Sequence, residues 1–152
     1  MLSYDNKIDL KFTVFGDPVG KSRPRFTKTG RVYTPQKSVE YEKSIQQAAW
    51  VAMKHHKLQP TDRPVHVDLV AYLPIAESWT KQKKREALSG AIRPNKPDLD
   101  NIMKSVFDGC NQIVFLDDQQ VHSVKARKLY RTYDKIPSIE VCVSWTNDQS
   151  GP

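Results

Sequence analysis

The sequence predicts an α+β fold: a mixed or antiparallel sheet with helices packed on it. Three observations carry that expectation. Apolar and polar residues alternate over 7–15, 65–73 and 138–145, the two-residue period of half-buried strands. Apolar residues recur at three- and four-residue spacing over 38–54 and 99–110, the period of amphipathic helices. The order strand, loop, helix, strand, helix, helix, strands suits helices laid against such a sheet.

In the first strand Ile8, Leu10, Phe12 and Val14 share one side, with Asp9, Lys11 and Thr13 on the other. The glycine- and proline-rich stretch from Gly16 to Pro35 reads as a loop, with a loose hairpin turning at Thr29-Gly30. Gly16 to Gly20-Lys21-Ser22 resembles a Walker A loop but is one residue short between its glycines. Arg23-Pro24-Arg25 also argues against the helix that such a loop needs, so nucleotide binding there is rejected. The better reading is a basic loop whose Lys21, Arg23, Arg25, Lys28 and Arg31 contact phosphates, with Phe26 and Tyr33 either stacking on bases or turned into the core.

A helix follows from Ser38 to about Lys54, with Tyr41, Ile45, Ala48, Ala49, Ala52 and Met53 as its stripe and Pro35 and Ser38 as entry signals. His55 and His56, adjacent at its end, read as surface residues. In the strand Val65–Leu73, His66 and Asp68 share the polar side, and a solvated face is the plainer explanation of that pair than a metal. Pro74 stops the strand. Ser78 is placed to cap a helix from Trp79 to Gly90 that carries Lys81, Lys83, Lys84 and Arg85. Beyond the second cluster of acids, Val121–Tyr130 and Ser138–Trp145 read as strands joined by a turn at Tyr133-Asp134-Lys135; Lys125, Arg127, Lys128 and Arg131 make the first of them basic. The tail 147–152 is expected to be disordered.

The chain has 152 residues and a formal net charge of +7, a size for one domain (1–152) and a charge that suits an anionic partner, most simply nucleic acid. No apolar run has the length of a membrane span and no signal-peptide pattern opens the chain, so a cytoplasmic location is expected. Cys110 and Cys142 are far apart and form no zinc motif.

Against that basic background, carboxylates concentrate at Asp98-Leu99-Asp100 and Asp117-Asp118. Between them runs a short helix with Leu99, Ile102, Met103, Val106, Phe107 and Cys110 as its buried stripe; Asp98 is placed to cap it and Gly109 to end it. Ile113 to Leu116 reads as a short strand that returns Asp117 and Asp118 toward the helix start. Three converging carboxylates would make an oxygen-ligand site for Mg²⁺ or Mn²⁺, and a divalent cation would relieve the repulsion between them. Asp117 and Asp118 point apart in a single backbone conformation, so one of them is expected as a ligand. Lys104, one turn beyond Asp100, is placed to hold water or to offset charge at phosphorus. The plainer structural alternative is a cap at Asp98, an exposed Asp100–Lys104 pair and a turn at Asp117-Asp118.

The string KPDLDNIMKSVFDGCNQIVFLDDQQV closely resembles the signature of the RusA-type Holliday-junction resolvases, a bacterial and prophage family: an Asp-Leu-Asp-Asn-x-x-Lys helix start, then an Asp-Asp-x-Gln-Val turn. The opening KSRPRFTKTGRVYTP followed by a helix resembles the family too, and the likeness extends over residues 10 to 145. The resemblance implies a homodimeric α+β nuclease that uses Mg²⁺, with Mn²⁺ as substitute, to nick four-way DNA junctions in pairs. It implies Asp98, Asp100 and Asp118 as catalytic metal ligands, Lys104 as the catalytic lysine, and Asn101 and Asp117 in support. The basic residues at 21–31, with Lys125 and Arg127, would then grip DNA. The rival expectations are a branched-DNA-binding protein that does not cut and a nuclease for another branched nucleic acid.

Overall fold

A computed structural model of the chain describes residues 6–147. In order these form β1 (Lys7–Phe15), β2 (Arg25–Phe26), β3 (Val32–Tyr33), α1 (Gln36–His55), β4 (Val65–Leu73), α2 (Lys81–Ser89), α3 (Leu99–Cys110), a 3₁₀ turn (Asp118–Gln120), β5 (Val121–Tyr130) and β6 (Ser138–Thr146). The main sheet has the order β1-β6-β4-β5. Its β1–β6 and β6–β4 pairs are antiparallel and its β4–β5 pair is parallel, so it is the mixed sheet of an α+β fold. β5 and β6 are consecutive in sequence but not neighbours, because β4 lies between them.

The alternation that predicts the strands also builds the core. In register, Leu10, Val143, Val67 and Val124 form one row across the sheet, and Phe12, Val141, Leu69 and Ala126 the next. Except for Val124, which is exposed at the edge strand, these rows join Ile45, Ala49 and Met53 of α1 and Ile102, Val106 and Cys110 of α3 in one apolar cluster. The opposite side of the sheet is polar, as the period of two requires.

Several boundaries differ from the sequence expectation, each for a local reason. α1 starts at Gln36, directly after Pro35, whose φ of −52° suits a helix entry. Ser38 is therefore inside the first turn, buried, with its Oγ accepting from the Ser22 N–H at 3.2 Å. α2 starts at Lys81 because Thr80, not Ser78, is the cap: its Oγ1 accepts from the Lys83 N–H at 3.2 Å. Trp79 lies before the helix, edge-on to Tyr130 at 5.3 Å between ring centroids.

Gly109 does not end α3. It is buried within the helix, where an added Cβ would stand 2.4 Å from Ile45 Cγ2, so its missing side chain lets α1 pack closely on α3. Residues 113–116 form no strand. The N–H groups of Ile113 and Val114 both donate to Cys110 O (3.0 and 2.9 Å), a tight turn that drops Val114 and Phe115 into the core. Only an isolated bridge links Phe115 to Thr61. At the end of the chain Asn147 is still tied down, its N–H donating to Asn6 O at 2.9 Å; the rest of the expected disordered tail, 148–152, lies outside the described residues. Among the described residues no helix is long and apolar enough to cross a membrane.

Candidate active site

The start of α3 is held in place by two segments remote in sequence. The loop before β2 crosses it: Val19 O accepts from Ser105 Oγ at 3.0 Å, and the Lys21 N–H donates to Asn101 O at 2.8 Å. Gly20 lies at the crossing, where a Cβ would stand 2.9 Å from Asn101 Cβ. The glycine of the Walker-like string therefore serves close packing. From the other side Lys128 Nζ donates to Asn95 O and Pro97 O (2.6 and 3.0 Å), which fixes the approach to Asp98.

These restraints create an open groove of about 950 Å³. Asp98, Asp100 and Asn101 form one side, while Lys21, Arg23, Arg25 and Lys37 line the rest with Lys96. Asp98 occupies the N-cap position of α3 without capping it; its Oδ1 instead takes the Lys96 ammonium at 3.0 Å. Asp100 is exposed and its Oδ1 accepts from the Asn101 N–H at 3.0 Å. Asp98 and Asp100 thus open into a cavity that also takes in Asp17 and whose remaining charges are cationic, the lining that suits a phosphodiester backbone.

The second acidic pair is fixed differently. Asp117 caps the 3₁₀ turn, its Oδ1 accepting from the Gln119 N–H at 3.0 Å. Gln120 ties the turn to the segment that leads into β4: its Oε1 accepts from the N–H groups of Leu116 and Asp117, and its Nε2 donates to Thr61 O and Arg63 O. Hydrogen bonding from Gln119 holds the Asp117 carboxyl below its ordinary range. Asp118 is pushed up, first by its hydrogen bond with Asp117, then by burial and the Asp117 charge; Lys104 opposes that rise and Asp108 adds to it. Asp118 is thus within electrostatic reach of Lys104 and Asp108.

Lys104 reaches Asp108 at 3.9 Å and is otherwise exposed. Lys21, although it lines the groove, has its ammonium between Glu42 (2.8 Å) and Asp108 (3.2 Å), which raise its pKa. Among the described residues no three His, Cys, Asp or Glu side chains are grouped to hold a metal. The expected set of Asp98, Asp100 and Asp118 is therefore not assembled as a cage. What the groove does offer is a pair of hard oxygen donors, Asp98 and Asp100, beside a path for phosphate, and Mg²⁺ commonly takes one or two protein carboxylates and completes its shell with water and substrate oxygens.

Strand period divides the other basic residues. Lys125 and Arg127 are in register with Asp68 and Val70 on the open face of the sheet. Lys128 is in register with buried Ala71 and so faces the α3 side. Lys28 and Arg31 are exposed on the β2–β3 hairpin. Sequence reading treated 125–131 as one basic strand, and the alternation that separates Lys128 from its neighbours was the available signal. Gln120 is the glutamine of the Asp-Asp-x-Gln-Val turn, and the fold gives it the role of tying that turn down; Asp108 reads in sequence as one more polar position on a helix.

The family profile described as Endodeoxyribonuclease RusA matches residues 16–144. The uncharacterized protein YqaN of Bacillus subtilis (strain 168) is 37% identical over 140 residues, which cover 88% of this chain and 94% of that protein. The matched span takes in both acidic pairs, Lys104, the basic hairpin, β4, β5 and most of β6, and the chain belongs to the RusA endodeoxyribonuclease family.

Proposed function

We propose that the protein is a metal-dependent, structure-selective endodeoxyribonuclease that resolves four-way DNA junctions by paired nicks. The observation that carries this reading is the pairing of Asp98 and Asp100 with a groove lined by Arg23, Arg25 and Lys37. A bound Mg²⁺ or Mn²⁺ would supply an activated water and offset charge developing at phosphorus. The chain's own part is to hold the strand and place the charges. Arg23, Arg25 and Lys37 take successive phosphates, and Asp98 and Asp100 offer oxygen donors at the groove wall. Lys104 lies one helical turn beyond Asp100, where its ammonium favours added negative charge on the phosphate. Asp118, whose charge Lys104 influences, would add a further oxygen donor to the site. Symmetric cutting of two strands requires two such sites, which is the reason to expect a homodimer with twofold symmetry.

A non-cutting branched-DNA-binding protein is the rival, favoured by the absence of a three-carboxylate cluster among the described residues. Replacing Asp100 separates the two. Asp100→Asn should reduce junction nicking in Mg²⁺ to background while junction affinity stays equal or rises, since a negative charge leaves the phosphate path. Normal cutting by that variant would remove Asp100 from the chemistry.

A further inference from the structure

The β2–β3 hairpin has two unlike faces. Its register sets Arg25 opposite Tyr33 and Phe26 opposite Val32, so each pair shares one side. Arg25 faces the groove that holds Asp98 and Asp100. Phe26 and Val32 are therefore turned the other way, 73% and 55% exposed, an apolar pair that no part of the described chain covers.

The turn that presents them is braced. The Thr27 N–H donates to Arg31 O at 2.8 Å, the Gly30 N–H to Thr27 O at 3.0 Å, and the Arg31 N–H to Thr27 Oγ1 at 3.0 Å. A braced turn holds the phenyl ring outward against the hydrophobic drive to bury it. Lys28 and Arg31 are exposed on the same hairpin, and no acid occurs between residues 23 and 37. An exposed apolar ring on a basic hairpin beside a phosphate groove matches a ligand that carries both anions and flat apolar faces. Nucleic acid is that ligand, but in a duplex the base faces are already stacked. Only an unpaired or splayed base offers a free face to Phe26.

We propose that Phe26, backed by Val32, is a stacking platform for an unpaired base at the branch point, while Arg25 and Tyr33 on the opposite face follow the backbone into the groove. This rests on the reading of the groove as a DNA site and adds to it the feature that would distinguish branched from linear DNA.

The test uses a four-way junction with 2-aminopurine at the branch, and a second with the probe inside an arm, both in EDTA so that nothing is cut. Binding of the unaltered protein should raise emission several-fold at the branch and leave the arm probe unchanged. Phe26→Ala should lose that rise and bind the junction about tenfold more weakly, the loss of one base–aromatic stack. Its affinity for linear duplex and its melting temperature should stay unchanged, and Phe26→Trp should restore the rise. An undiminished rise with Phe26→Ala, or no rise with the unaltered protein, overturns the proposal. So does sedimentation with anionic phospholipid vesicles that depends on Phe26 while the branch probe stays silent. Because this readout needs no metal, a protein that gives the Phe26-dependent rise yet fails to nick in Mg²⁺ would refute the nuclease reading and leave the platform standing.

Discussion

Lys21 shows how a side chain acquires a role from its neighbours. In sequence it is one cation in a basic loop; in the fold its ammonium is held by Glu42 and Asp108, which hold its charged form in place. Removing it strands two partly buried carboxylates. Lys21→Met should therefore cost about 2 kcal/mol of unfolding free energy in urea titration. It should leave the salt dependence of junction binding nearly unchanged, whereas Arg23→Ala should reduce the slope by about one phosphate contact. Tyr41 presents the opposite case. Its hydroxyl is buried without a hydrogen-bond partner among the described residues. Tyr41→Phe should stabilise the protein by about 1 kcal/mol, read from the same titration.

Burial raises the pKa of Tyr41 from 10.0 and pushes the Cys110 thiol from 9.0 up to about 12. The unfolded chain loses these protons first, so it binds fewer protons than the folded chain at alkaline pH. For these two groups the folded and unfolded chains hold the same protons below pH 9, and stability falls as pH rises from there toward 12. The melting temperature should follow that course, and Tyr41→Phe should make the fall shallower.

At the scale of elements, the helix pair α1–α3 depends on the missing side chain of Gly109. Ile45 is fully buried and has nowhere to retreat. Gly109→Ala should cost about 2 kcal/mol, and adding Ile45→Val should recover part of it, since both act on one contact. A glycine near a helix end invites reading as a terminator, and only the packed partner distinguishes the two cases. The same limit explains residues 113–116: a short apolar run is compatible with strand or turn until the fold says where it is buried. Strands and the two long helices were legible because each carries its own period over nine or more residues. The acidic pairs were legible as residue types, yet the placement of the second pair depends on the turn that Gln120 ties to Thr61 and Arg63. Caps also failed locally, since Ser78 and Thr80 are equally good by type and only backbone geometry chose Thr80.

For the whole molecule, the fold divides charge by face. The α3 side gathers acids and basic groove residues at one end, held there by the crossing loop and by Lys128. Lys125 and Arg127 lie on the open face of the sheet, away from that groove. A four-armed ligand that meets both regions would account for two separate cationic surfaces in one small chain, and two copies would set two acidic grooves against one junction. The most direct test is strand-resolved nicking of a four-way junction with a mobile core, beside linear duplex of the same sequence, in Mg²⁺ and in EDTA. The account predicts symmetric nicks in two opposed strands of the junction, dependent on the metal, with the duplex left intact. Tight junction binding with no nick in either Mg²⁺ or Mn²⁺ would contradict it and reduce Asp98 and Asp100 to the framing of a binding groove.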